Sequence, residues 1–337
     1  MPYGRVARPI AAALSLAVGV TVAAVARAAA PAGEPSLVAT IGMPDVRGRI
    51  DHLAIDRGGD RLFVAALGND TLEVLDLRTG ALQHTIAGLH EPQGVLFLPE
   101  RHELYVTNGG TGVCDVFDAD TLARLHAIAL GDDADNLRWD GGGATVYVGE
   151  GNGALALIDP SRAAVAGRIA LPAHPESFQL EQAGPRIFVN LPGARQIAVV
   201  DRQRRAVVAT WSLADARANY PMALDEARRR LYVGLRQPAR LDVYDIDAGT
   251  RIATVPIVGD VDDLFVDARN GRVYAIGGEG RVDILAAEGV DHRRVAQIET
   301  RAGARTGLWV PESNRLYVAL PRTGSHPAEV RVYDMPP

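Results

Sequence analysis

Lysine is absent from the 337 residues; all 35 basic side chains are arginine. Without it there is no P-loop lysine for nucleotide phosphates, no Schiff-base catalysis and no pyridoxal phosphate linkage. A single cysteine, Cys114, excludes an internal disulfide, a thiolate zinc site and CxxCH haem attachment. No HExxH or HxH spacing exists among the eight histidines, and no GxSxG elbow is present. Long apolar runs are missing after residue 30. Hydrophobic content of 47% with 23% charged residues is that of a globular chain, so wholesale disorder is excluded. What is abundant is glycine and proline, 35 and 20 residues, which predicts frequent turns and few long helices.

The one long apolar run lies at the start. Arg5 and Arg8 precede the uncharged stretch Ile10 to Ala26, and Ala26-Arg27-Ala28 forms a small-x-small cleavage site. This pattern predicts a secretory signal peptide over residues 1–28, cut after Ala28, with 29–35 as a short linker. The run of 17 residues stands at the short limit for a membrane anchor, the competing reading. Export to the periplasm or medium is therefore expected, with no membrane span in the mature chain. Cleavage removes three arginines and no acid, leaving 32 arginines against 41 acids. A balance on that side argues against nucleic acid as a partner, since phosphate binding rests on basic side chains.

Residues 36–337 carry an internal repeat. Phe63, Tyr105, Tyr147, Phe188, Tyr232, Tyr274 and Tyr317 each sit inside a short β-branched or apolar triplet such as Leu62-Phe63-Val64. The spacings run from 41 to 44 residues. Turn sequences such as Arg57-Gly58-Gly59-Asp60 and Asn270-Gly271 precede these triplets, and each unit reads as four short strands. Six third strands end on aspartate: Asp76, Asp118, Asp159, Asp201, Asp245 and Asp334, placed to bond the following turn. Four strands per unit at this period predict an all-β fold, a seven-bladed β-propeller in one domain. The last unit lacks its fourth strand, while Ser36 to Ile41 reads as an orphan fourth strand. The N-terminal strand is expected to close the C-terminal blade.

Tyr105-Val106-Thr107-Asn108 spells the YVTN signature, and the surrounding pattern resembles the YVTN-repeat, YncE-like family of exported bacterial β-propellers. The resemblance spans residues 36–335 and implies fold and compartment. It carries no single reaction.

Propeller topology puts the connections between blades on one face, here the upper face, and the hairpins joining first to second strands on the lower one. The lower turns are ordinary glycine chemistry. The upper connections instead carry Asp51, His52, Glu91, Gln93, Asp135, Asn136, His174, Glu176, Tyr220, Asp262, Asp263 and Arg305, the expected ligand-binding residues at the channel mouth. Asn69, Asn108, Glu150, Asn152, Asn190, Arg236, Glu279 and Arg322 are expected to join them from the loops between second and third strands. Asp133, Asp135, Asp260, Asp262 and Asp263 are candidate ligands for a divalent cation, with His52 or His174 admitting a transition metal. No cofactor is otherwise implied, and a monomer is expected. Two functions follow: a module binding a small molecule, peptide or partner protein at this mouth, or a metal-assisted hydrolase or lactonase using the same acids. The second is an analogy of fold with gluconolactonase-like propellers.

Overall fold

A computed structural model describes residues 1–4, 33–287 and 292–335. The chain divides into Met1–Ala32 and Gly33–Pro337. In the first unit only residues 1–4 are described, exposed and without secondary structure, so the expected signal peptide otherwise lies outside the described residues.

The second unit is a seven-bladed β-propeller: seven four-stranded antiparallel sheets in which the first strand of each blade touches the first strands of both neighbours. Blade one comprises Leu53–Asp56, Arg61–Ala66, Thr71–Asp76 and Ala81–Ala87. Strand alternation sends the aromatic of each triplet into an apolar core between blades, and all seven are buried. Each core joins two neighbours: Phe63 of blade one, for example, packs with Val95 and Leu104 of blade two. Fourth strands face outward and are largely exposed, as in Ala81–Ala87.

Ser36–Met43 pairs antiparallel with Ala328–Asp334, Ile41 opposite Val330, and buries Ile41 and Met43 between the last blade and the first. The ring is thereby closed by the N-terminal strand. Five of the six aspartates ending third strands bond the turns that follow, while Asp334 meets Arg315 (3.4 Å) instead. Asp118 accepts from the N–H groups of Asp120 and Thr121 (3.1 and 2.7 Å), and Asp245 from those of Asp247 and Ala248 (both 3.0 Å).

A second polar repeat runs through the interior. Opposite the last residue of the triplet, the third strand buries an acid in four blades: Glu73, Asp115, Asp242 and Asp283. Each reaches across to the fourth strand. Glu73 accepts from Thr85 Oγ1 (2.6 Å), Asp115 from Arg124 (3.4 Å), Asp242 from Thr254 Oγ1 (2.8 Å) and Asp283 from Gln297 Nε2 (2.7 Å). These carboxylates pin the outermost strand, which has little apolar burial of its own.

Candidate functional site

The connections between blades reach the upper mouth because short polar links fix them. Thr107, in the YVTN tetrapeptide, accepts from the Gly94 N–H (2.8 Å) and donates to the Asp135 carbonyl (2.6 Å). Asn108 accepts from the His90 N–H (3.0 Å). Asn190, at the position of Thr107 in blade four, donates to the carbonyls of Tyr220 and Pro221 (3.0 and 3.1 Å). Glu91, Asp133 and Asp260 adopt left-handed backbone (φ 52°, 47° and 52°), which turns their connections back onto the neighbouring loops. The approach is close: a Cβ on Gly151 would lie 2.8 Å from the Asp132 carbonyl oxygen.

Eleven of the twelve residues expected at the mouth line one cavity of about 410 Å³, together with Arg49, Asp133, Ser177 and Arg236. Asp263 is the exception. It lies deeper, in a second cavity of about 270 Å³ along the channel, and accepts from the Gly307 N–H at 2.8 Å. His52 lies between Asp51 and Asp263 (3.6 and 3.8 Å), and burial lowers its pKa against the pull of Asp51, so it is held neutral.

The five candidate aspartates do not converge on one point. Arginines intercept two of the three from blade six: Arg305 meets Asp260 at 2.9 Å, and Arg236 meets Asp260 at 3.3 Å and bonds Asp262. The Arg236 guanidinium also stacks 4.2 Å over the Tyr220 ring. Arg49 bonds Asp51 at 2.8 Å. On the blade-three side Asp133 accepts from Gln93 Nε2 (2.9 Å) and stands 3.8 Å from His174 Nε2, which is 3.6 Å from Glu176 Oε1. Asp135, His174 and Glu176 form the group whose donor atoms all lie within 4.8 Å of one another.

Crowding shows in the acidities. Burial, then the charge of Glu176, raises the Asp135 pKa well above the carboxylate range. Glu176 is pushed up to about 8 by burial and by Asp262, Asp133 and Asp51. Asp262 rises to about 6 through burial, with Arg236 opposing.

Of the upper-loop residues, only Arg236 lines the mouth. Glu150 is fully buried, accepting from the Gly131 N–H (2.8 Å) and from Arg168. Glu279 accepts from the Gly259 N–H (3.1 Å), and Arg322 bonds the Pro44 carbonyl. These side chains turn sideways to tie loops rather than inward, a choice that loop position alone does not decide. Arg49, two residues before Asp51, lines the mouth as that acid's ion partner. Cys114 packs in a core with its thiol pKa raised by burial.

A larger cavity of about 720 Å³ opens at the lower end, but its arginines and acids nearly balance: Arg57 with Glu312 (2.5 Å) and Arg61 with Asp56 (2.5 Å), while Asp120 stands beside His102 (3.3 Å). The larger surplus of charge is found at the upper mouth.

No protein-family model and no curated protein matches the sequence. The likeness lies in the fold. A chain of hydrazine synthase from Kuenenia stuttgartiensis superposes with a TM-score of 0.74 at 18% identity, covering 82% of this chain and 93% of that one. A chain of a mitotic checkpoint complex gives 0.76 at 13% identity, covering 96% and 99%. At such identities the shared property is the propeller itself.

Proposed function

We propose that this protein is an exported, monomeric propeller of the YVTN-repeat type that captures a small polar ligand at the upper channel mouth. The surplus of acids over bases there carries the reading, an excess relieved, until a ligand binds, by protons on Asp135 and Glu176. Six carboxylates (Asp51, Glu91, Asp133, Asp135, Glu176 and Asp262) share the cavity with three arginines, which are already engaged by Asp51, Asp260 and Asp262. The ligand is one that brings positive charge or hydrogen-bond donors to Asp135 and Glu176. A volume of about 410 Å³ suits a small molecule, and a lining with so little apolar surface suits a polar one.

The test is a thermal-shift series on chelator-treated protein with 1,4-diaminobutane, glucosamine and glycerol. At least one probe is expected to raise the midpoint by several degrees at saturation, and Asp135→Asn to abolish the rise. No shift from any probe, or an equal shift in the variant, overturns the reading. A second reading, metal-assisted hydrolysis, draws on the grouping of Asp135, His174 and Glu176. Turnover of a model lactone by metal-loaded protein would move the assignment to catalysis.

Export rests on the N-terminal pattern. No helix among the described residues is long and apolar enough to cross a membrane. N-terminal sequencing of periplasmic protein is expected to begin at or near Ala29. Intact Met1 in the membrane fraction would show an anchor instead.

A further inference from the structure

We infer that Asp135, His174 and Glu176 bind one divalent first-row transition metal ion, the electropositive ligand that the mouth lacks. The inference rests on the reading of this mouth as the binding site, and it names the ligand.

Two independent observations carry it. The first is convergence. One imidazole nitrogen and two carboxylates, from two successive blade connections, bring their donor atoms within 4.8 Å of one another. Donors on a tetrahedral ion at ~2.1 Å lie about 3.4 Å apart. His174 Nε2 and Glu176 Oε1 are already at 3.6 Å, so small side-chain rotations complete the set.

The second is an unpartnered carboxylate. Asp135 is 6% exposed and lines the cavity, yet among the described residues no hydrogen bond or ion pair reaches its carboxylate. Burying a carboxylate without a donor is unfavourable unless a cation or proton meets it. Its backbone is fixed at both ends: the N–H donates to the Gly149 carbonyl (3.1 Å) and the carbonyl accepts from Thr107 (2.6 Å). The carboxylate is thus held in place on a rigid frame. The nearby arginines are engaged by Asp51, Asp260 and Asp262 and leave this corner to another cation.

Ligand chemistry selects the metal. All-oxygen sets suit Ca²⁺ and Mg²⁺, whereas an imidazole among carboxylates favours Mn²⁺, Fe²⁺, Co²⁺ or Zn²⁺. Asp133, 3.8 Å from the same nitrogen, is within reach as a fourth ligand. Remaining positions would open into the cavity, where an oxygen of a solute or water can enter.

The experiment is calorimetric titration of the chelator-stripped mature protein with MnCl₂ and ZnCl₂, beside CaCl₂ and MgCl₂. One Mn²⁺ or Zn²⁺ per chain is expected. Asp135→Asn and His174→Ala should each weaken it by at least about 100-fold, since even outer-shell changes cost 10–100-fold. His102→Ala, at the lower end, should change nothing. Asp135→Asn is isosteric and His174 is partly exposed, so retained strand circular dichroism is expected in both. The inference is overturned if the folded protein takes up neither ion, if both variants bind as wild type does, or if His102→Ala abolishes uptake. A Ca²⁺ or Mg²⁺ preference indifferent to His174→Ala also overturns it. Amine or polyol shifts without metal uptake would sink this inference and leave the binding reading standing; failure of the metals and of every probe would sink both.

Discussion

Replacing Asp283 by alanine is expected to lower the unfolding free energy by about 2 kcal/mol, chiefly from the buried Val258 N–H left without a partner at ~1–3 kcal/mol, with a smaller loss at the exposed Gln297. The side chain is fully buried and accepts from the Val258 N–H and from Gln297 Nε2, both at 2.7 Å. Val258 belongs to the connection that leads to Asp260 and Asp262, and Gln297 to the outermost strand of blade six. One carboxylate therefore holds both a strand and an arm of the mouth. Urea unfolding of Asp283→Ala against Asp118→Ala makes the comparison. Asp118 bonds only an exposed turn and should leave the midpoint nearly unmoved. Equal effects would show that the buried acid is no more than another turn residue.

Raising the pH from 6.5 to 8.5 in the presence of a chelator is expected to lower stability. Glu176, pushed up to about 8, keeps a proton in the fold that the unfolded chain releases near 4.5. Its contribution is fully present below 4.5 and is lost as pH rises toward 8. His52 has the opposite sign: held neutral in the fold, it opposes stability only where the unfolded imidazole takes a proton, below about 6.5. Cys114 adds its own loss only near and above pH 9. The window thus reports the carboxylates of the mouth. One group losing a proton costs ~1.4 kcal/mol per pH unit, so about 2 kcal/mol and roughly 4 °C of midpoint are at stake. Glu176→Gln should remove at least half of the slope, because Asp135 then loses the nearest like charge. A midpoint that stays level or rises in wild-type protein would mean that these acids are ionised in the fold.

The ring was legible because a propeller blade repeats its signals. The seven aromatic triplets, the aspartates after third strands and the orphan strand at Ser36 to Ile41 each recur or complete a pattern. The mouth was legible as a set of positions, since topology alone sends Asp51, Glu176 and Arg305 to one end. Direction within the loops was not. Glu150, Glu279 and Arg322 occupy upper loops but turn toward backbone N–H and carbonyl groups, whose needs no spacing in the sequence displays. The five aspartates looked like one cluster because their repeat positions match. Arg236 and Arg305 divide them, and only three-dimensional proximity brings His174 and Glu176 to Asp135 instead. The buried acids Glu73, Asp115, Asp242 and Asp283 were within reach: aligning third strands puts them in one column, four residues where strand alternation calls for apolar ones.

The closing strand sets an order of events. Ile41 and Val330 are partners across 289 residues, so during synthesis at ~5–20 residues per second the first strand waits roughly 15–60 s for the last. Blades one to six complete from contiguous sequence as it emerges; the seventh depends on both extremes of the ring. Long-range closure of this kind is entropically late and slow. Asp51 and His52 follow the first strand, and Arg305 opens the last blade. The cavity they line therefore comes into being only at the final step. A chain interrupted between residues 300 and 327 would carry six finished blades and an unclosed ring, so occupancy of the mouth reports closure of the ring.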